Sequence, residues 1–376
     1  MLRFLLYHSF LEKGETDMNI LILTAKFGNG HISAANAVRT QILQHHPQAE
    51  IHVVDLMPYI YPHAYPLIYT GFNYLVNSRP GIYNSLAKID ALTCHLPWKT
   101  RVRHGLAIQQ LVTKYHPDLI LSTWLMSSKY VSSYKKYFHS DIPFITCITD
   151  IGAYPEWIAD YTDAYLVGSE YTAETLRKYG VNPRRIYVGG IPVNPRFDQL
   201  SCRQSSSETK NILVMGGGLG ILPGIDALLS AMQRMPEFSV TVITGHNREL
   251  CSHIKQTYPR IQAVGFTDQV PQYMQKADLI LTKAGGLTLS EAIHSETPIF
   301  VLDPFFQHER ENAAYIRREQ IGGIIESSSE EGVQEFIRDI SSTSLIRRAG
   351  KNMHRIREAY RGNEINSIMD DLQREA

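Results

Sequence analysis

Short aliphatic runs alternate with helical segments along the chain, and this alternation constrains the fold more than any other feature of the sequence. Two of the runs nearly repeat each other, DLILS at 118–122 and DLILT at 278–282. Continuous apolar runs are typical of strands buried on both faces, and the helical segments between them are typical of crossovers in a parallel sheet. The sequence predicts an α/β protein with two similarly built halves, although a shared strand-entry pattern could also produce the near-repeat.

The aliphatic runs predict eleven strands, and a polar segment between them predicts a division into two domains. The predicted strands are 19–24, 51–56, 118–122, 143–149, 164–167 and 185–188 in the first half, and 211–215, 239–244, 261–264, 278–282 and 298–302 in the second. Residues 197–210 contain three consecutive serines and little apolar content, which indicates an interdomain linker. The predicted domains are 18–196 and 211–361, followed by a C-terminal helix at 362–376. Residues 1–17 lack the features of a signal peptide and are predicted to be a disordered leader.

Composition excludes several functional classes. The 37 Lys and Arg residues balance 37 Asp and Glu residues, so no bulk attraction to nucleic acid is expected, and local basic patches stay open. The four cysteines form no CxxC pair, which argues against a zinc site or a disulfide framework and fits a reducing cytosol. No apolar run approaches the ~18 residues that a membrane-spanning helix needs.

Two glycine-rich turns in the second half indicate a phosphate site. Gly285 and Gly286 stand where a predicted strand passes into a helix, and 216–220 (GGGLG) follows the strand at 211–215. Glycine there lets a phosphate approach backbone N–H groups at the positive end of a helix dipole. Glu291 lies one to two turns into the helix, where it could accept hydrogen bonds from sugar hydroxyls. A tight turn with a surface glutamate and a flexible strand–helix connection are the plainer alternatives.

The first half carries a matching segment, Gly28-Asn29-Gly30-His31, after its first strand. Together these segments resemble glycosyltransferase family 28, and within it the diacylglycerol glycosyltransferases: monogalactosyldiacylglycerol synthases and processive diacylglycerol glucosyltransferases. The resemblance extends from about Met18 to about Tyr360. It implies the GT-B fold, in which two doubly wound, Rossmann-like domains face a central cleft and the last helix often returns to the first domain.

The resemblance assigns the donor-binding residues. In the family, the matching glycine turns contact the diphosphate, a Gly-Phe-Thr turn reads the uracil through its backbone, a glutamate binds the ribose, and a Gln-Glu pair with a following Asn reads the sugar. His308 replaces the glutamine of that pair here, which leaves the donor sugar open among glucose, galactose and N-acetylglucosamine. The residues carried over are Gly217, Gly218, Gly265, Phe266, Gly285, Gly286, Thr288, Glu291, His308, Glu309 and Asn312.

His31 and Asp150 are the predicted catalytic residues. A neutral imidazole is suited to removing the acceptor proton, and the family's Gly-x-Gly-His histidine is its proposed base. A capping or core histidine is the alternative for His31. Asp150 follows a strand in a Thr-Asp pair and could orient His31 or the acceptor, or cap a turn. Tyr154 stands where related lipid enzymes carry a histidine, and it is assigned to the acceptor region.

Residues 58–104 predict an interfacial surface. The segment holds eight Tyr, Phe and Trp residues, five Lys and Arg residues and a single acid, Asp90. Aromatic and basic residues together suit contact with anionic headgroups, although helices packed on a sheet would also use the aromatics. Trp98, Arg101 and Arg103 are the predicted membrane contacts, and the resemblance implies that diacylglycerol is collected there.

The resulting hypothesis is an inverting UDP-hexose transferase acting on diacylglycerol or a glycosyl-diacylglycerol, peripheral on the inner face of the cytoplasmic membrane. The UDP-sugar is a substrate, and no cofactor or metal is predicted because the sequence contains no Asp-x-Asp pair. One alternative is a UDP-N-acetylglucosamine transferase acting on a lipid-linked cell-wall precursor, and another is a UDP-sugar-binding regulator. A nicotinamide dehydrogenase is a weaker alternative, based on the Gly28-x-Gly30 turn with Asp55 ending the second strand.

Overall fold

The computed structural model describes residues 18–78, 98–152, 155–198, 209–220, 222, 224–302, 304, 306–326, 329–362 and 364–374. The chain divides into two compact units, 1–194 with 360–376 and 195–359. The predicted leader, 1–17, lies outside the described residues, as do residues 199–208 of the predicted linker.

The first unit contains a six-stranded parallel sheet. Its strands are β1 (Asn19–Thr24), β2 (Glu50–Asp55), β3 (Leu119–Ser122), β4 (Phe144–Cys147), β5 (Ala164–Val167) and β6 (Ile186–Val188). Their spatial order is β2-β1-β3-β4-β5-β6. Because the order reverses beside β1, the switch point at which doubly wound sheets bind ligands lies between β1 and β3.

Helices cover this sheet and create a separate apolar core on each of its faces. They are α1 (Gly30–His45), α2 (Met57–Ile60), α3 (Tyr65–Ser78), α4 (Trp98–Tyr115), α5 (Leu125–Phe138), α6 (Glu170–Lys178) and, from the chain terminus, α14 (Ile365–Arg374). Asn366 Nδ2 on α14 donates to Gln41 O on α1 at 3.3 Å. Ile365, Ile368 and Met369 are buried in the same core as α1. The C-terminal helix is therefore an integral part of the first unit.

The second unit contains another six-stranded parallel sheet. Its strands are β7 (Lys210–Met215), β8 (Phe238–Ile243), β9 (Gln262–Val264), β10 (Leu279–Thr282), β11 (Ile299–Leu302) and β12 (Gly322–Ile325). The order β12-β11-β10-β7-β8-β9 is that of a dinucleotide-binding fold read from its far edge. The switch point lies between β7 and β10.

Five helices of the second unit connect successive strands as crossovers, and two more follow the last strand. They are α7 (Ile225–Met232), α8 (Arg248–Thr257), α9 (Val270–Lys276), α10 (Gly286–His294), α11 (Gln307–Glu319), α12 (Glu330–Ser341) and α13 (Thr343–Ala359). Among the described residues, no helix is both long and apolar enough to span a bilayer.

All eleven predicted strands are confirmed, with ends that differ by at most two residues, and the α/β class with two doubly wound sheets is confirmed with them. The prediction missed β12, whose sequence begins with two glycines. A Cβ atom at Gly322 would lie 1.6 Å from Ile299 O of β11, so only glycine allows this strand to pair so closely. The same glycines interrupt the apolar run by which a strand is predicted from sequence, so this strand was not predicted.

Candidate active site

The turn after β7 presents N–H groups at the second switch point. Gly217 and Gly220 have φ of +67° and +65°, a region that glycine adopts without strain. The carbonyls are occupied, since Gly217 O accepts from Gly220 N and Gly218 O accepts from His246 N, both at 3.0 Å. The N–H groups of Gly217, Gly218 and Leu219 donate to no acceptor in the described part of the chain. The turn is therefore suited to an anion.

Gly245, after β8, packs closely against this turn. The sequence did not predict it as a site residue. Its φ is +56°, and a Cβ atom there would stand 2.4 Å from Gly218 O and 2.8 Å from Gly217 O. The next loop continues the contact, because a Cβ atom at Gly265 would lie 3.9 Å from Gly245 O. A glycine directly after a strand was the available signal. Three successive strand-end loops thus stack through their glycines.

The turn after β10 leads into α10 without a side-chain cap. Gly285 is the N-cap residue, and its own N–H donates to Lys283 O at 2.8 Å. The first N–H groups of α10, from Gly286 to Thr288, point out of the helix end with no side-chain acceptor among the described residues. Because this end carries the positive pole of the helix dipole, it is also suited to an anion.

Glu291 lies in the middle of α10 and is half-buried. Burial raises the pKa of its carboxyl to about 8, so the group is largely protonated at neutral pH in the ligand-free protein. A ligand that donates hydrogen bonds to this carboxylate, as a ribose diol does, would offset the cost of ionising it.

Phe266 and His246 form an exposed aromatic pair after β9 and β8. Their rings are stacked with centroids 4.3 Å apart and planes 14° from parallel, and Phe266 is 62% exposed. They line a cavity of about 410 Å³ together with Thr244, Gly245, Arg248, Cys251, Ser252 and Gly265. An exposed aromatic face beside backbone polar groups is suited to a nucleobase.

The predicted sugar motif divides into buried and outward-facing residues. Asn312 is fully buried, and its Nδ2 donates to Ala284 O at 2.8 Å, so it fixes the backbone that leads into Gly285. Glu309 is also buried, and Phe306 N donates to its Oε2 at 3.3 Å to cap α11. His308 is half-buried, and its ring is parallel to that of Phe306, with centroids 5.6 Å apart.

His31 lies on the first turn of α1, at the switch point of the first sheet. Its Nδ1 lies 3.0 Å from Thr123 O, after β3, and 2.9 Å from Thr149 Oγ1, after β4. A carbonyl oxygen only accepts, so Nδ1 carries the proton of the neutral ring and Nε2 keeps its lone pair. Thr123 Oγ1 also donates to His31 O at 3.0 Å. The histidine is held from two neighbouring strand ends in the tautomer that a base acting through Nε2 requires.

Asp150 is half-buried next to Thr149. In the described part of the chain its carboxylate makes no hydrogen bond, and the contacts to His31 Nδ1 come from Thr123 and Thr149 instead. Tyr154 lies outside the described residues. Trp157, three residues further on, is fully buried in the core beside β5.

Asp55 ends β2, and its carboxylate is already bonded within the first unit. Its Oδ1 accepts from Tyr69 OH at 2.7 Å and from Met57 N at 3.1 Å. The same phenol oxygen accepts from Lys26 N at 3.0 Å. Asp55 thus ties β2 to α3, which argues against the dinucleotide interpretation of the Gly28-x-Gly30 turn.

Helix α3 exposes apolar side chains, and residues 79–97 of the predicted interfacial segment lie outside the described residues. No charged residue occurs in α3, and Leu67 and Tyr74, two turns apart on one face, are 76% and 58% exposed. Arg103 is exposed on α4, and its Nη2 donates to Ile60 O at 3.5 Å. The side chains of Trp98 and Arg101 lie outside the described residues.

Comparison with known families decides the assignment. Residues 31–193 match the monogalactosyldiacylglycerol synthase family, and residues 211–364 match the glycosyltransferase family 28 C-terminal domain. The chain belongs to glycosyltransferase family 28. This confirms the resemblance given by the sequence motifs, and the chain is accordingly a glycosyltransferase.

Relatives of this family 28 protein match it over most of their length. A processive diacylglycerol beta-glucosyltransferase of Bacillus licheniformis is 25% identical over 90% of this chain and 92% of its own. One of Staphylococcus carnosus is 27% identical over 91% and 89%, respectively.

Solved structures with low sequence identity support the GT-B fold. MurG of Acinetobacter baumannii has a TM-score of 0.63 at 13% identity, covering 96% of this chain and 100% of its own. The UDP complex of S. aureus MnaA has a TM-score of 0.56 at 15% identity, covering 89% and 91%.

Proposed function

We propose that this protein transfers a hexose, with inversion and without a metal ion, from a UDP-sugar to diacylglycerol or a glycosyl-diacylglycerol at the inner face of the cytoplasmic membrane. The observation that carries the proposal is the pair of uncapped N–H clusters, at Gly217–Leu219 and Gly286–Thr288, on either side of the second switch point. They supply hydrogen-bond donors for two phosphate groups. Many transferases neutralise the negative charge of these groups with a metal ion.

The position and tautomer of His31 indicate how bonds change in the proposed transfer. The acceptor oxygen bonds to the anomeric carbon while the bond from that carbon to the diphosphate oxygen breaks, and the bonding electrons leave with UDP. The acceptor proton passes to Nε2 of His31, whose Nδ1–H stays bonded to Thr123 O. Such general-base assistance contributes roughly 10²–10⁴ in rate. Attack opposite the leaving group inverts the anomeric centre.

The acceptor class is supported by the relatives and by α3. The relatives from Bacillus licheniformis and Staphylococcus carnosus are named for transfer of glucose to diacylglycerol. The uncharged helix α3, with Leu67 and Tyr74 exposed, offers an apolar surface that could enter the headgroup region of a bilayer. Peripheral binding at this helix would bring the first unit to its lipid acceptor.

The test is an assay with diacylglycerol in anionic vesicles, offering UDP-glucose, UDP-galactose and UDP-N-acetylglucosamine separately while UDP release and lipid products are measured. We expect a new glycolipid with one donor. His31→Ala should retain UDP binding and lose at least about a hundredfold in turnover. Nucleotide binding without a glycolipid would favour a cell-wall precursor acceptor or a regulator, and turnover near wild type in His31→Ala would overturn the base assignment.

A further inference from the structure

Lys283 joins the two N–H clusters. Its backbone belongs to the turn after β10, directly before Ala284 and Gly285. Its side chain lies along the other turn, since Cε is 3.5 Å from the position that a Cβ atom at Gly217 would occupy. One side chain therefore spans the switch point between β7 and β10.

The ammonium group has no counterion in the described part of the chain. No carboxylate there forms an ion pair with Lys283, and no hydrogen bond fixes its Nζ. The residue is half-buried, so part of the stem is already withdrawn from water. A cation beside unused N–H donors makes this turn locally positive, which favours an anionic ligand.

We propose that Lys283 is the cationic ligand of the donor's diphosphate, acting from between the turns at Gly217 and Gly285. This inference rests on the proposed function and names the group that neutralises the diphosphate in place of a metal ion. Because negative charge grows on the diphosphate as the bond to the anomeric carbon breaks, the ammonium group stabilises the leaving group more than the bound substrate. Lys283 should therefore contribute to turnover as well as to affinity.

A purely structural role is the competing explanation, in which the aliphatic stem only covers Gly217. Lys283→Met separates the two roles because it keeps an unbranched apolar stem and removes the charge. Lys283→Arg keeps the charge. Lys276→Met is the matched control, since Lys276 is exposed at the end of α9 in the same unit.

The experiment measures binding of uridine, UMP and UDP to the full chain by calorimetry, with ligand-observed NMR for the weak uridine complex. In Lys283→Met we expect UDP affinity to fall about tenfold or more, because hydrogen bonds between charged groups are strong, and uridine affinity to stay unchanged. The salt dependence of UDP binding should flatten. Lys283→Arg should restore most of the affinity, and Lys276→Met should match wild type.

Equal UDP affinity in Lys283→Met and wild type would overturn the inference and leave the proposed function standing. An equal loss for uridine and UDP would also overturn it, since that pattern indicates a damaged turn rather than a lost charge. A wild-type protein that binds no uridine nucleotide would instead overturn the proposed function itself.

Discussion

The Nδ1 atom of His31 lies 2.9 Å from Oγ1 of Thr149, a residue that follows a different strand of the same sheet. Thr149→Val keeps the shape of the side chain and removes this partner. We expect kcat to fall about tenfold, because the imidazole loses a contact that fixes its orientation, while KM for the UDP-sugar stays near wild type. Steady-state kinetics with varied donor gives both values.

The pH profile distinguishes this positioning role from general loss of structure. An acceptor at Nδ1 stabilises the imidazolium form, so its removal should move the acidic limb of the kcat profile to lower pH. Thr149→Ser keeps the hydroxyl and should restore both rate and profile. A Thr149→Val protein with wild-type kcat and an unmoved profile would show that Thr123 O alone positions the base.

The raised pKa of Glu291 predicts that binding of the UDP-sugar depends on pH. Burial raises the pKa of its carboxyl to about 8 in the ligand-free protein, and ribose hydroxyls that donate to the carboxylate would lower that pKa. Binding of UDP-glucose should then release protons at neutral pH, and affinity should rise with pH until about 8 and level off. Calorimetry in two buffers of different ionisation enthalpy counts the protons, and Glu291→Gln should release none. The same proton count in both proteins would remove Glu291 from the ribose site.

The same carboxyl predicts how stability without ligand depends on pH. Its folded-state pKa lies above the ordinary value of 4.5, so the folded protein keeps a proton that the unfolded chain loses. This contribution to stability is complete below about 4.5 and is lost as pH rises toward about 8. Thermal unfolding should show Glu291→Gln gaining stability relative to wild type across that range. A constant difference between the two proteins would contradict the shift.

Much of the fold could be predicted from the sequence, because strands buried on both faces consist of continuous apolar runs. The predicted diphosphate turns carry glycine at strand ends, which is also visible in sequence. Gly245 also follows a strand, but its contact with the turn at Gly217 could not be predicted, because that backbone lies 28 residues earlier in the chain. Asn312 was predicted as a sugar ligand, and the structure places its amide nitrogen on Ala284 O. Contacts between loops that are distant in the chain leave no periodic pattern in the sequence, so they could not be predicted from it.

Gly245→Ala tests the stacking of the strand-end loops. The added Cβ atom would meet Gly218 O at 2.4 Å, and the φ of +56° is strained for alanine. Gly180→Ala is a matched control, since its φ is +87° with no atom within 4 Å of the added carbon. We expect about 1–3 kcal/mol of lost stability from the backbone strain in both variants, and loss of UDP binding in Gly245→Ala alone. Wild-type UDP affinity in Gly245→Ala would show that the turn does not need this contact.

Leu67 tests the proposed membrane surface. It is 76% exposed on a helix with no charged residue, so Leu67→Glu should fold normally while its carboxylate opposes insertion among anionic headgroups. We expect binding to anionic vesicles to fall several-fold in a sedimentation assay, and turnover on soluble short-chain diacylglycerol to stay near wild type. Tyr179→Glu adds the same charge at another exposed residue, 51% accessible after α6, and controls for general repulsion. Equal vesicle binding by the two variants would mean that the bilayer contacts the protein elsewhere than α3.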